Sequence, residues 1–180
     1  VEDQTRAIDL NNQVSGSIDQ VGQRQLHTFS LTADRLLYFD SLTASNAINW
    51  TLSGPRGTEV AARGMYSSDS GELAGALVMP LAAGDYTLTI DGSGGATGAF
   101  AFRLLDLAVA EAIGYGVAVN ASLAPGNTTR IYRFDATAGD RVLYDYQSSA
   151  GGDLYWRLLD ASGRLLNGPA YLTTDSGPFA

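Results

Sequence analysis

The stretch Tyr86-Thr87-Leu88-Thr89-Ile90 puts Tyr86, Leu88 and Ile90 on one side of an extended chain and two threonines on the other. Successive side chains of a strand point to opposite faces, so this is the pattern of a strand with one face in a core and one in water. A little further on, Ala99-Phe100-Ala101-Phe102-Arg103-Leu104 repeats it, with Phe100, Phe102 and Leu104 inward. Asp91-Gly92-Ser93-Gly94-Gly95 lies between the two as a flexible turn, and the flanking strands are expected to pair as a hairpin.

Worked outward from there, the same alternation predicts strands over Val14–Ile18, Gln25–Leu31, Arg35–Leu42, Ala47–Ser53, Glu59–Arg63 and Leu73–Met79. With Asp85–Ile90 and Ala99–Leu105 that makes eight short strands. No segment sustains an apolar spacing of three and four; Leu105–Ile113 comes nearest. The expectation is an all-β fold of β-sandwich type.

Composition agrees. Hydrophobic residues make up 45% of the chain and charged residues 17%, enough apolar material for a packed core and too little charge for a disordered tail. The net charge is −8, and all eleven basic residues are arginine. Such a surface repels nucleic acid and anionic lipid, so neither is expected as a partner. No apolar run is long enough to cross a bilayer as a helix. The absence of cysteine removes disulfides, thiol catalysis and thiolate metal sites.

The chain also repeats itself. Gly16-Ser17-Ile18 returns as Ala121-Ser122-Leu123, and Leu26-His27-Thr28-Phe29 as Ile131-Tyr132-Arg133-Phe134, at an offset of 105. The offset then becomes 106: Arg35-Leu36-Leu37-Tyr38 matches Arg141-Val142-Leu143-Tyr144, Trp50 matches Trp156, Gly57 matches Gly163, and Asp69-Ser70-Gly71 matches Asp175-Ser176-Gly177. Two tandem modules are therefore expected, a complete one over 1–106 and a truncated copy over 107–180 that lacks the counterpart of Gly75–Asp106.

Residues that could carry chemistry are few. His27 is the sole histidine, so any Ser/His/Asp triad must include it, yet its place in the second copy is taken by Tyr132 and it alternates with Phe29. A packing role is expected. Trp50 and Trp156 could be sugar-stacking platforms, but each lies between aliphatic residues at strand spacing (Ile48 and Leu52, Leu154 and Leu158), which favours the core.

Asp40, Asp69, Asp91, Asp135, Asp140, Asp145, Asp153 and Asp175 offer hard oxygen ligands suited to calcium, but no DxDxDG loop orders them and turn geometry accounts for most. Asn49, Asn120 and Asn127 begin short sequons that arise often by chance. No catalytic, binding or metal-ligating residue is singled out.

Three stretches resemble the bacterial pre-peptidase C-terminal domain family and the related collagen-binding modules of secreted collagenases. They are Val14–Ile18 leading into His27-Thr28-Phe29-Ser30-Leu31, then Trp50-Thr51-Leu52-Ser53-Gly54-Pro55-Arg56-Gly57, and Leu81-Ala82-Ala83-Gly84-Asp85-Tyr86-Thr87-Leu88-Thr89-Ile90. Tandem copies of this kind also resemble repeats of giant bacterial extracellular proteins.

The resemblance implies a jelly-roll sandwich, extracellular or on the cell surface, that is not an enzyme and serves structure or adhesion, with neighbouring modules of its own chain as partners. Its alternative is a module binding carbohydrate or an extracellular protein beside a secreted peptidase, for which Tyr66, Tyr144, Tyr146 and Tyr155 are candidate contacts. Some relatives use calcium, through acids before the first strand and before the Tyr-x-Phe strand. Here Glu2 and Asp3 match the first group, while Gly22-Gln23-Arg24-Gln25 and 125–129 hold no acid. No cofactor is expected beyond that possible calcium.

Overall fold

The computed structural model describes residues 2–69 and 77–179. In the first half the strands are β1 (Gln4–Ala7), β2 (Val14–Ile18), β3 (Arg24–Leu31), β4 (Arg35–Ser41), β5 (Ile48–Gly54), β6 (Gly57–Gly64), β7 (Val78–Leu81), β8 (Gly84–Gly92) and β9 (Gly98–Asp106). They form two facing sheets in the orders β1-β3-β8-β5-β6 and β2-β9-β4-β7. Leaving aside β1, this is the strand order of an eight-stranded jelly roll. The all-β sandwich expected from period-two alternation is the fold observed.

The inward rows pack as the alternation requires. Phe29, Leu31, Trp50, Leu52, Tyr86, Leu88 and Ile90 from one sheet meet Ile18, Leu37, Phe39, Phe100, Phe102 and Leu104 from the other. Phe39 lies flat on Trp50, with ring centroids 4.0 Å apart. Trp50 is fully buried and donates its indole N–H to Ser68 Oγ at 2.7 Å.

Three details depart from the sequence reading. β1 was not anticipated: its residues are all exposed and carry no alternation, and it is held only as a parallel edge on β3, Gln4 opposite Gln25 through Ala7 opposite Thr28. Of the strand expected over Leu73–Met79, residues 73–76 lie outside the described residues, and strand is found over Val78–Leu81.

The third is a correction. β8 and β9 do not form a hairpin, because β8 pairs with β3 and β5 while β9 pairs with β2 and β4 in the opposite sheet. Both strands carry a full apolar face, and the core closes when those faces oppose each other. The glycine run lets the chain cross between sheets. A side chain at Gly92 would strike the Ala96 carbonyl, Gly94 and Gly95 adopt φ of 61° and 84°, and Ser93 N–H bonds the Ala47 carbonyl at 2.8 Å.

The second half holds β10 (Glu111–Ala112), β11 (Tyr132–Arg133), β12 (Val142–Tyr144), β13 (Tyr155–Leu159), β14 (Leu165–Tyr171) and β15 (Ser176–Phe179). They make three separate two-stranded ladders, β10-β11, β12-β15 and β13-β14. Glu111 pairs with Tyr132 in parallel register, 105 positions after Arg6 with His27. Trp156 pairs with Ala170, as Trp50 does with Arg63.

Tyr144 stacks on Trp156 at 5.0 Å, the place Phe39 holds on Trp50. Tyr144 therefore corresponds to Phe39 at offset 105, not to Tyr38 at 106 as the aligned sequences expect. A second contact agrees: Asp69 accepts the Ser41 N–H at 2.7 Å and Asp175 accepts the Tyr146 N–H at 2.9 Å. A slip of one residue turns every side chain of a strand to the other face, and the aromatic stack selects the register.

Candidate functional site

Strand β4 is buried on both faces. Residues Leu37 to Ser41 are buried in succession, where a strand with one wet face would alternate. Leu37 and Phe39 point into the sandwich, whereas Tyr38 and Asp40 point out of it and are covered by the second half. The cover is partly apolar: Tyr38 and Val78 pack with Leu36, Leu105, Leu107, Ile131 and Leu159. The turn at Gly163 presses on Val78 so closely that a Cβ there would lie 2.8 Å from its Cγ1.

The rest of the cover is polar. Asp40 is wholly buried and forms an ion pair with Arg103, whose Nε lies 2.7 Å from Asp40 Oδ2. Its other oxygen accepts the Thr129 N–H at 2.9 Å, and Arg103 Nη2 donates to the Thr129 carbonyl at 2.8 Å. Asn127 Nδ2 donates to the Ser41 carbonyl at 3.0 Å, and Arg157 reaches the Asp69 carbonyl at 3.5 Å. A buried charge is tolerated only when paired and fully bonded, and here half of the bonds come from residues beyond 106.

Asp69 stands beside this pair. Burial pushes its carboxyl up to about 7, and the Asp40 carboxylate adds to the effect against the opposing pull of the Ser41 N–H. Tyr38 is raised to about 12, first by burial and then by Asp69. Two close carboxyl groups beside a tyrosine and an arginine are a set that can hold and move a proton. With Asp40 wholly buried, the geometry suits a joint between halves better than a site open to substrate.

The chain crosses from one half to the other under tight control. Asp106 pairs with Arg35 at 3.2 Å, its N–H bonds Asn11 Oδ1 at 2.9 Å, and its Oδ1 accepts the Ala108 N–H at 2.9 Å. Beside it a shallow cleft of about 430 Å3 is bordered by Arg103, Glu111, Arg130 and Tyr132.

The residues weighed from sequence fall as follows. His27 is buried edge-on to Phe100 and Phe102, at 5.5–5.7 Å, with neither ring nitrogen hydrogen-bonded among the described residues; burial lowers it to about 4. It is a neutral packing residue, and among the described residues no serine or carboxylate is bonded to it. Trp50 is core, and Trp156 is half-buried between Tyr144 and Phe179.

Of the aspartates, Asp40 and Asp69 come together, Asp175 and Asp140 bond backbone N–H groups, and Asp145 and Asp153 are exposed. Asp135 is also exposed, and Asp91 lies across from Arg24 and Asn49 on β8. Among the described residues no three acidic or histidine side chains gather. Asp3 is engaged by Arg24, the first residue of β3, in the segment where the resemblance would place a calcium-binding acid.

The tyrosines do not share one patch. Tyr144 turns inward, Tyr146 bonds Ser149, Tyr66 is exposed on the first half, and Tyr155 pairs with Tyr171 at 4.5 Å. Sequence reasoning missed the joint itself. Its signal was present in Leu36-Leu37-Tyr38-Phe39, a continuous apolar run of the kind found in strands covered on both faces.

No family profile matches this chain, and no curated protein matches it. Among solved structures, the pre-peptidase C-terminal domain of a collagenase from Bacillus anthracis is similar at 15% identity, covering 57% of this chain and 94% of that one, with a TM-score of 0.40. The periplasmic inhibitor of g-type lysozyme, PliG, from Salmonella Typhimurium is similar at 13% identity, covering 56% and 98%, with a TM-score of 0.41. Its Aeromonas hydrophila counterpart is similar at 15%, covering 57% and 97%, with a TM-score of 0.38.

Proposed function

We propose that this chain is a non-catalytic structural or adhesion segment of a secreted or surface-displayed bacterial repeat protein. In this reading residues 1–106 are one module, and residues 107–180, which repeat its earlier strands, dock on it. The observation that carries the reading is the joint: Asp40, buried on the first sandwich, has its bonds completed by the backbone of Thr129. Modules joined by buried bonds form a stiff array, whereas modules joined only by a flexible linker move independently. The motif resemblance to pre-peptidase C-terminal modules supports the extracellular setting.

A second reading is a module that binds carbohydrate or an extracellular protein. The exposed Tyr155–Tyr171 pair favours it, because amphipathic aromatic rings are common anchors in such contacts. An array of glycans and matrix proteins probed with the 180-residue protein separates the two. Absence of saturable binding is expected from a structural segment, and saturable micromolar binding lost in Tyr155→Ala would replace the first reading with the second.

A further inference from the structure

The joint holds two carboxyl groups against each other. Asp40, on β4, is wholly buried, and Asp69 bonds it side chain to side chain while accepting the N–H of Ser41 at 2.7 Å. Two carboxylates offer each other only acceptor oxygens, so a bond between them needs a proton on one. Asp40 also accepts from Arg103 Nε at 2.7 Å and from the Thr129 N–H at 2.9 Å.

The same few groups fasten the second half. Thr129 is held at both polar atoms of its backbone, its N–H on Asp40 and its carbonyl on Arg103 Nη2 at 2.8 Å. Asn127 Nδ2 donates to the Ser41 carbonyl, on the residue whose N–H Asp69 holds. Among the described residues, the charged groups facing the carboxyl pair are Arg103 on β9 and Arg157 on β13, whose Nη1 reaches the Asp69 carbonyl at 3.5 Å. The Tyr38 hydroxyl on β4, raised to about 12, keeps its proton throughout the neutral range. Arg130, on the joining segment, donates to the Ser122 carbonyl at 3.1 Å.

We infer that the joint is a proton latch: one proton shared by Asp40 and Asp69 holds residues 127–131 on β4, and its loss to solvent sets two carboxylates against each other and releases that segment. The repulsion acts on Asp40, the residue that carries the Thr129 bond. Burial puts the Asp69 carboxyl at about 7, against its ordinary 3.8. Release exposes the pair and returns Asp69 towards the ordinary value, so the docked form binds the extra proton. This contribution to docking is therefore complete below about pH 3.8, declines as pH rises and is lost above about 7.

Amide hydrogen exchange of the intact 180-residue protein at about pH 5 and about pH 7.5, expressed as protection relative to the intrinsic rate at each pH, tests the latch. Protection over 127–131 should fall about tenfold or more on going to the higher pH, while the core around Phe39 and Trp50 shows no such fall. Asp69→Asn keeps an acceptor for Ser41 and offers Asp40 an N–H at every pH, so it should hold the segment under both conditions. No fall in the unaltered protein, the same fall in Asp69→Asn, or a parallel fall in the core would each overturn the inference. Carbon NMR of the aspartate carboxyls gives a check that needs no variant: Asp69 should titrate near 7, and titration near 3.8 would remove the latch. The latch lies within this chain, so saturable binding in the glycan and matrix array would leave it standing.

Discussion

The two halves share strand registers 105 residues apart, yet one is a closed sandwich and the other three separate ladders. The difference lies in β8 and β9. They come last in the first module, but β8 occupies an inner position between β3 and β5, and β9 one between β2 and β4. Earlier strands are built around positions that the end of the module fills. Where the described residues hold no counterpart of them, each sheet divides into pairs, and a lone two-stranded ladder is marginal unless it packs on something else. Here it packs on the outer face of β4, β7 and β9.

The largest effect should come from the paired tryptophans. Trp50→Ala removes a fully buried ring with a stacked partner and a hydrogen bond, and is expected to cost about 4 kcal/mol of the first half's stability. Trp156→Ala, at a half-buried site, should cost no more than about half of that. Urea unfolding of both variants, followed by hydrogen exchange in each half, checks this. Equal losses would mean that the second core is as closed as the first.

Next comes the joint. Asp40→Ala leaves Arg103 without its carboxylate and should cost about 3 kcal/mol. Exchange should rise at 127–131 while the Phe39–Trp50 core stays protected. Loss of protection throughout the first sandwich instead would show that Asp40 supports that sandwich and not the joint.

The halves should also differ in acid. His27 stays neutral in the folded protein down to about pH 4, whereas in the unfolded chain it takes a proton near its ordinary value of 6.5. The unfolded state therefore binds the extra proton, so this contribution, complete above pH 6.5, is lost as pH falls to about 4 and is worth up to about 3 kcal/mol.

Asp69 acts in the opposite sense. Its raised folded value, about 7 against 3.8, makes its contribution largest below pH 3.8 and lost as pH rises towards 7. Stability measured between pH 4 and 6.5 in His27→Phe should lose the acid-side fall and keep the slope from Asp69. An unchanged profile would remove His27 as its source. The second half, with Tyr132 in that place, should show no such fall.

The smallest effect sharpens the contrast at one atom. Ser68→Ala leaves the buried Trp50 N–H unbonded, as the Trp156 N–H is among the described residues, and should cost about 1–2 kcal/mol. A thermal shift of the first transition alone is expected.

Alternation along single strands made most of the first sandwich legible. Tyr86, Leu88, Ile90, Phe100, Phe102 and Leu104 are inward as read, because the two-residue period of a strand is a local property of the chain. His27 was legible as packing from its exchange with Tyr132. The exposed edge strand β1 was not, since a strand held only by backbone pairing leaves no hydrophobic trace. The joint was only half visible: the run through Leu36–Phe39 announces a second covered face, but no local pattern names Thr129 as its partner.

Residue order alone thus settled where the alternating strands of the first sandwich lie and which side of each is apolar, through backbone sterics and the water-avoidance of particular side chains. Three matters were left to packing in three dimensions: that β8 and β9 part into opposite sheets, that Tyr144 and not its neighbour stacks on Trp156, and that Asp40 is completed from the other half. Each depends on which surfaces meet after the strands exist, and contacts between residues about 90 positions apart, such as Asp40 with Thr129, leave no periodic mark along the chain.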